Sequence, residues 1–251
     1  MTSSAPDGYL AAPTTRATHG TVSAVLVLHA WWGLNETTRG LCRRLADAGF
    51  LAFAPDLYHG KVADTIEGAE ALSQALDAGQ ARADIAAAMR FLTEQAAASS
   101  GSAGTAGTAG TAGTAGIAGT SGTAGTGGSG SPGKLGVIGF SLGAYFALEL
   151  SNQEPERIGS VVVFYGTGHT EFGRSEASYL GHFAESDPYE SAAAVEELEQ
   201  LLRKAGRPVT FHQYPGTGHW FFEPDRAAAH NALAADLAWN RTLAFLRRNA
   251  E

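Results

Sequence analysis

Six apolar runs of strand length alternate with helix-patterned segments along this chain, and that alternation narrows the fold more than any other feature. The runs are "AVLVLHA", "FLAFAPD", "KLGVIGF", "SVVVFYG", "SYLGHFA" and "PVTFHQY". Most are apolar without interruption, the pattern of parallel strands covered on both faces. Between the first two, Asn35 is placed to cap a helix with Leu41, Cys42 and Leu45 on its inner face, and Gly49 to stop it. Ile85, Ala88, Met89 and Leu92 recur at helical spacing, and another helix runs from Leu142 to about Asn152. A further one covers "ESAAAVEELEQLLRKAG", and the last carries Trp239, Leu243 and Leu246. Strands and helices in this order predict one α/β domain, a mainly parallel sheet flanked by helices.

A chain of 251 residues suits one large domain or two small ones. The segment that raises the question is Ser99 to Gly133, which has no charge, no aromatic residue and a single large aliphatic, Ile117. Such a tract cannot bury enough apolar surface to offset its ordering entropy, so it predicts a flexible coil. It joins the end of a helix to the start of "KLGVIGF". Residues 99–133 are therefore read as a Gly/Ala/Thr-rich loop insertion in a single domain spanning 1–251. Ligands of such sheets bind at the carboxyl ends of the strands. The tract enters at the opposite edge, where a long loop costs little.

The hydrophobic content, 44%, is enough for a substantial core. A formal charge of −8 and a pI near 5.5 argue against nucleic acid, whose phosphates need clustered cations. Arg241, Arg247 and Arg248 are spaced as a solvated helix face. Cys42 is the only cysteine, which excludes an intrachain disulfide and a cysteine-based metal site. No pair of histidines with a carboxylate has metal-ligand spacing, so neither metal nor cofactor is expected. The first residues lack the basic and apolar regions of a secretory signal, and no run approaches the roughly 20 apolar residues of a membrane span. A soluble, cytoplasmic protein is the expectation.

In "GVIGFSLGAYFALEL" an apolar strand leads through Gly139-Phe140-Ser141-Leu142-Gly143 directly into a helix. This is G-x-S-x-G in the strand–turn–helix setting that gives the motif meaning. Small residues flank the serine because a turn this tight leaves no room for larger ones. The turn lifts Ser141 Oγ clear of the sheet, at a helix N-terminus that favours developing negative charge. A helix-capping serine with incidental glycines is the bland alternative, and the flanking strand and helix weigh against it.

A nucleophilic serine needs a base and an orienting acid. "GTGH" occurs twice, ending at His169 and at His219. In α/β-hydrolases the chain order is serine, acid, histidine. Asp187 follows the strand "SYLGHFA", and His219 follows "PVTFHQY", which reproduces that order. His169 precedes every acid at a later strand end and is read as a loop or rim residue. Glu185 competes with Asp187 for the acid role. His29, His59, His182 and His212 lie in or beside strands and are read as structural. Backbone donors for an oxyanion are expected at Leu142 and, after the first strand, at Trp31. Trp31, Trp32, Trp220, Phe221 and Phe222 suggest an apolar pocket wall, with Trp32, Trp220 and Phe222 as substrate contacts.

Taken together, "VLVLHAWWGLN", "FLAFAPDLYHG", "GKLGVIGFSLGA", "FAESDPY" and "YPGTGHWFF" resemble the dienelactone hydrolase family of α/β-hydrolases. The resemblance covers most of the chain outside the glycine-rich tract. It implies a compact hydrolase with Ser141, Asp187 and His219 as catalytic residues and the Trp31 and Leu142 backbones as oxyanion donors. Three positions depart from the best-known members. Ser141 stands where they have cysteine, and Ala30 where a glutamate contacts the thiol. Glu223 stands where an arginine grips a substrate carboxylate, and no arginine lies between Lys61 and Gln80. Glu223 is expected to repel an anion. Before "AVLVLHA" only "GYLAAP" could add a strand, so one sheet edge is expected to be reduced.

The sequence thus predicts a serine hydrolase cleaving small-molecule carboxylic esters or lactones through an acyl-enzyme. The alternatives are a ligand-binding scaffold of the same fold without turnover, and a peptidase or acyltransferase using the same residues. An intact serine–acid–histidine set weighs against the first. The lack of room for a large gating domain weighs against the second. No motif bears on oligomeric state.

Overall fold

The six apolar runs become β2 (Ala24–Leu28), β3 (Leu51–Pro55), β4 (Leu135–Phe140), β5 (Ile158–Phe164), β6 (Ser178–Ala184) and β7 (Val209–Tyr214) of a computed structural model. A seventh strand, β1 (Gly8–Ala11), comes from "GYLAAP" and pairs antiparallel with β3, so that edge is present though short. Residues 5–14, 23–101, 133–168 and 170–250 are described. The sheet order is β1-β3-β2-β4-β5-β6-β7, with every pair except β1–β3 parallel.

The helices are α1 (Glu36–Asp47), α2 (Ile66–Ala75), α3 (Ala78–Gly101), α4 (Leu142–Gln153), α5 (Ala192–Lys204) and α6 (Ala232–Arg248). Asn35 caps α1 by accepting a hydrogen bond from Thr38 N, and Gly49, with φ of +96°, turns the chain out of it. Helix α2 was not foreseen. Thr65 caps it, yet Ala69 is its only fully buried residue, so it writes no apolar stripe into the sequence. Helix α3 runs through Ser99 to Gly101, three residues into the segment read as loop. The rest of that segment, residues 102–132, lies outside the described residues.

Uninterrupted apolar strands serve two cores at once. Val25 and Val27 of β2 enter the core beneath α1 and α6, with Leu41, Leu45, Ala238 and Phe245. Leu26 and Leu28 enter the opposite core with Ile85, Met89, Phe146 and Leu198, from α3, α4 and α5. Each fully buried aliphatic side chain contributes about 1.5–3 kcal/mol. The central position of β4, covered on both faces, fixes the turn that follows it.

His182 lies on β6 beside the edge strand β7, its ring nitrogens bonded to the Tyr214 and Thr242 hydroxyls at 2.8 and 3.0 Å. Burial lowers its pKa well below the ordinary histidine value. His29 Nε2 accepts from Leu57 N while Nδ1 bonds Ala30 O, and burial lowers its pKa too. His59 pairs with Asp84, and His212 stacks on His182. His29 and His182 are fully buried, whereas His59 is about half exposed.

Candidate active site

The turn from β4 into α4 is drawn so tight that three glycines are sterically required. A Cβ on Gly139 would meet Gly143 O at 2.4 Å, and one on Gly143 would meet Leu28 O at 2.2 Å. A Cβ on Gly166, beyond the neighbouring strand, would meet Ser141 O at 2.6 Å. Ser141 itself adopts φ of +47°, a region L-residues rarely occupy, and its N–H is held by Phe164 O at 3.0 Å. Its hydroxyl makes no capping bond to α4 and is free for other work.

His219 reaches that hydroxyl. Its Nε2 lies 3.2 Å from Ser141 Oγ, and its Nδ1 lies 2.7 Å from Asp187 Oδ2. With the carboxylate accepting from Nδ1–H, Nε2 is left to accept from the serine hydroxyl. Asp187 is fixed by its other oxygen, which accepts from Tyr189 N and Glu190 N. The His219 and Asp187 side chains are 3% and 4% exposed, which shields their bond from water. Glu185, the competing acid, turns away to accept from Gly216 N. His169 lies outside the described residues. Tyr165 and Tyr189 pack on the His219 ring, each with centroids 4.8 Å away. No periodicity marks either tyrosine in the sequence.

The close approach of Gly143 to Leu28 sets the loop after β2 against the first turn of α4. Trp31 opens that loop and Leu142 opens that turn, and neither N–H has a hydrogen-bond partner among the described residues. Trp31 also stacks on Trp220 at 6.0 Å, and Trp32 meets Trp220 edge-on at 5.2 Å. The indole N–H groups of all three are buried without a partner among the described residues. Arg226 lies 3.6 Å over the Trp32 ring. Phe222 packs on Phe140 and Phe164, closer to the core than to the serine. Cys42 is buried, its thiol pushed up to about 12, so it is no rival nucleophile. Among the described residues, no group of three or more His, Cys, Asp or Glu is arranged to hold a metal ion.

Glu223 corrects an expectation. It is 4% exposed, and its Oε1 accepts from the Tyr165 hydroxyl at 2.7 Å. Burial, helped by nearby Asp225, pushes its carboxyl up to about 8 against the opposing pull of Tyr165 and Arg226. Burial therefore favours the uncharged acid, which weakens the expected repulsion of an anion. The folded protein thus holds a proton that the unfolded chain releases near 4.5. This contribution to stability is complete below about pH 4.5 and is lost as pH rises toward 8, on the order of 4 kcal/mol across the window. Glu223→Gln keeps an acceptor for Tyr165 and cannot ionise. Its melting temperature should gain on the parent by on the order of 5–10 °C between pH 5 and pH 9. Parallel melting curves across that range would contradict the burial argument.

A mostly parallel sheet that delivers a serine on a strand–helix turn, with histidine and aspartate from later strand ends, defines an α/β-hydrolase. The chain belongs to the dienelactone hydrolase family, whose model matches residues 7–250, and it is a hydrolase of the lactone and ester type. It is 28% identical over 234 residues to "Protein usf" of Aquifex pyrophilus, covering 89% of this chain and 87% of that one. It is 25% identical over 251 residues to a "Putative carboxymethylenebutenolidase" of Saccharolobus solfataricus, covering 90% and 89%. Among solved structures it superposes on a "Putative Dienelactone Hydrolase" from Klebsiella pneumoniae with a TM-score of 0.73, at 23% identity, covering 96% and 92%. No helix among the described residues is long and apolar enough to cross a membrane.

Proposed function

We propose that the protein hydrolyses small carboxylic esters or lactones, with Ser141 as nucleophile, His219 as general base and acid, and Asp187 as its orienting partner. The observation that carries this reading is the continuous chain of hydrogen bonds from Asp187 Oδ2 through His219 to Ser141 Oγ. Family membership and a relative named carboxymethylenebutenolidase support it.

Ser141 Oγ attacks the substrate carbonyl as its proton passes to His219 Nε2. Asp187 holds the imidazole in the tautomer that leaves Nε2 free, and offsets the charge of the imidazolium. The oxyanion forms beside the unpartnered N–H groups of Trp31 and Leu142, at the N-terminus of α4. Collapse expels the alkoxide, which takes the proton back from His219, and an acyl-serine remains. His219 then deprotonates a water, whose attack releases the acid and restores the hydroxyl. For a lactone both products are one molecule. Trp220, edge-on against His219 and against Trp32, contributes an apolar wall beside the imidazole.

A fluorophosphonate tests nucleophile activation without a known substrate. One adduct is expected, on Ser141 by peptide mapping, and it should vanish in His219→Ala. Folded protein that stays unlabelled would reject the mechanism and favour a ligand-binding scaffold that has lost turnover.

A further inference from the structure

Two tyrosine rings border the imidazole, and the mechanism uses neither. Tyr165 and Tyr189 each lie with centroids 4.8 Å from the His219 ring, but Tyr165 is fully buried whereas Tyr189 is 45% exposed. Tyr189 is nonetheless fixed in place. Its N–H donates to Asp187 Oδ1 at 2.9 Å, and the next residue, Glu190, accepts from Thr167 Oγ1 at 2.6 Å, which ties this turn to the loop after β5. Its ring meets Trp220 at 5.2 Å and Trp31 edge-on at 5.5 Å. Trp31 and Trp220 are partly exposed as well, so three aromatic side chains reach solvent beside the imidazole.

We propose that Tyr189 is a specificity-determining residue, selecting esters of aromatic alcohols by seating the ring of the departing alcohol against its own. The inference rests on the hydrolase reading above and names the substrate class of that same site. Its basis is the place the leaving oxygen must take. That oxygen receives its proton from His219 Nε2, so it comes within hydrogen-bond reach of that atom. A group one carbon beyond it then falls against whatever borders the imidazole. Of the bordering rings, Tyr165 is closed off in the core, which leaves Tyr189 and Trp220. The acyl oxygen, by contrast, is turned toward the N–H groups of Trp31 and Leu142. An aromatic guest gains from edge-to-face and offset contacts with such rings beyond the area it buries, and a saturated ring of the same size does not. One such pair favours the aromatic guest by roughly three- to tenfold. Because its neighbours already hold Tyr189, little side-chain freedom is lost when a ring docks on it.

The test compares benzyl acetate with cyclohexylmethyl acetate, whose rings hang from the same methylene, each kcat/KM divided by the ester's rate of alkaline hydrolysis. The benzyl-to-cyclohexylmethyl ratio should be at least about threefold in the parent, stay there in Tyr189→Phe and fall by about threefold or more in Tyr189→Leu. Leucine keeps the backbone N–H that Asp187 accepts, and any effect of the substitution on the imidazole weakens both esters alike and cancels in the ratio. A parent ratio near one, a preference undiminished in Tyr189→Leu, or one lost in Tyr189→Phe of normal melting behaviour overturns the assignment. Protein that cleaves neither ester yet takes a fluorophosphonate on Ser141 also overturns it and leaves the hydrolase reading standing. Folded protein that cleaves neither and stays unlabelled rejects the hydrolase reading itself, and the assignment with it.

Discussion

Ser141→Ala should lower kcat/KM on any ester or lactone the protein cleaves by at least about 10⁴-fold, while its melting temperature stays within about 2 °C of the parent. The two halves of this expectation have separate grounds. Activity collapses because no other hydroxyl or thiol among the described residues bonds His219 Nε2, and the chain's single thiol, Cys42, is buried in the core on the inner face of α1. Stability holds because Ser141 Oγ does not cap α4 and the unusual backbone at this position is carried by Phe164 O, which alanine keeps. The loss of one 3.2 Å bond at a half-buried hydroxyl costs about 1 kcal/mol at most. Retained turnover in the alanine variant would end the nucleophile assignment. A large drop in melting temperature would show instead that the hydroxyl is part of the fold.

The opposite pattern is expected two residues on. Gly143→Ala asks for a carbon 2.2 Å from Leu28 O and 2.7 Å from His29 O, and both obstacles are backbone of the central strand and its exit loop. Nothing there can rotate away, so either α4 lifts from the sheet or β2 shifts against β4. We expect a loss of about 3 kcal/mol or more, at the upper end for a single added methyl. Any protein that still folds should have lost turnover, because the same shift separates Trp31 N from Leu142 N. Chemical denaturation and the fluorophosphonate reaction read the two consequences independently. A stable, fully labelled Gly143→Ala protein would mean that the approach of the two loops is looser than described.

The elements that a reader of the sequence can find are those whose burial is written as a pattern. Strand β2 and strand β3 are apolar throughout because both faces are covered, and α1 shows Leu41, Cys42 and Leu45 because one face is. The serine, aspartate and histidine are legible for a different reason: each follows a strand, and parallel strands bring their ends to one edge of the sheet. Helix α2 buries only Ala69 along its length, so neither period nor composition announces it. Glu223 is hidden more deeply. A glutamate four residues after a histidine reads as a charge, and only the partner Tyr165, 58 residues earlier, with the aromatic wall around it, makes it an uncharged acid. That is a property of tertiary environment, absent from any local window.

Ser141, Tyr165 and Trp220 share a backbone peculiarity with consequences beyond catalysis. With His59 they are the non-glycine positions of positive φ among the described residues, and all three are at the site or touch His219. Each disfavoured conformation costs about 1 kcal/mol or more that glycine or asparagine would avoid. At Tyr165 the strain is outweighed, because its fully buried ring and its bond to Glu223 are worth several times that cost. Trp220 is only partly buried, so a screen of variants for heat resistance that ignores turnover should enrich glycine or asparagine at 220, and in doing so remove an indole that packs edge-on against the imidazole. Stability and steady placement of the catalytic base thus pull in opposite directions at that one turn.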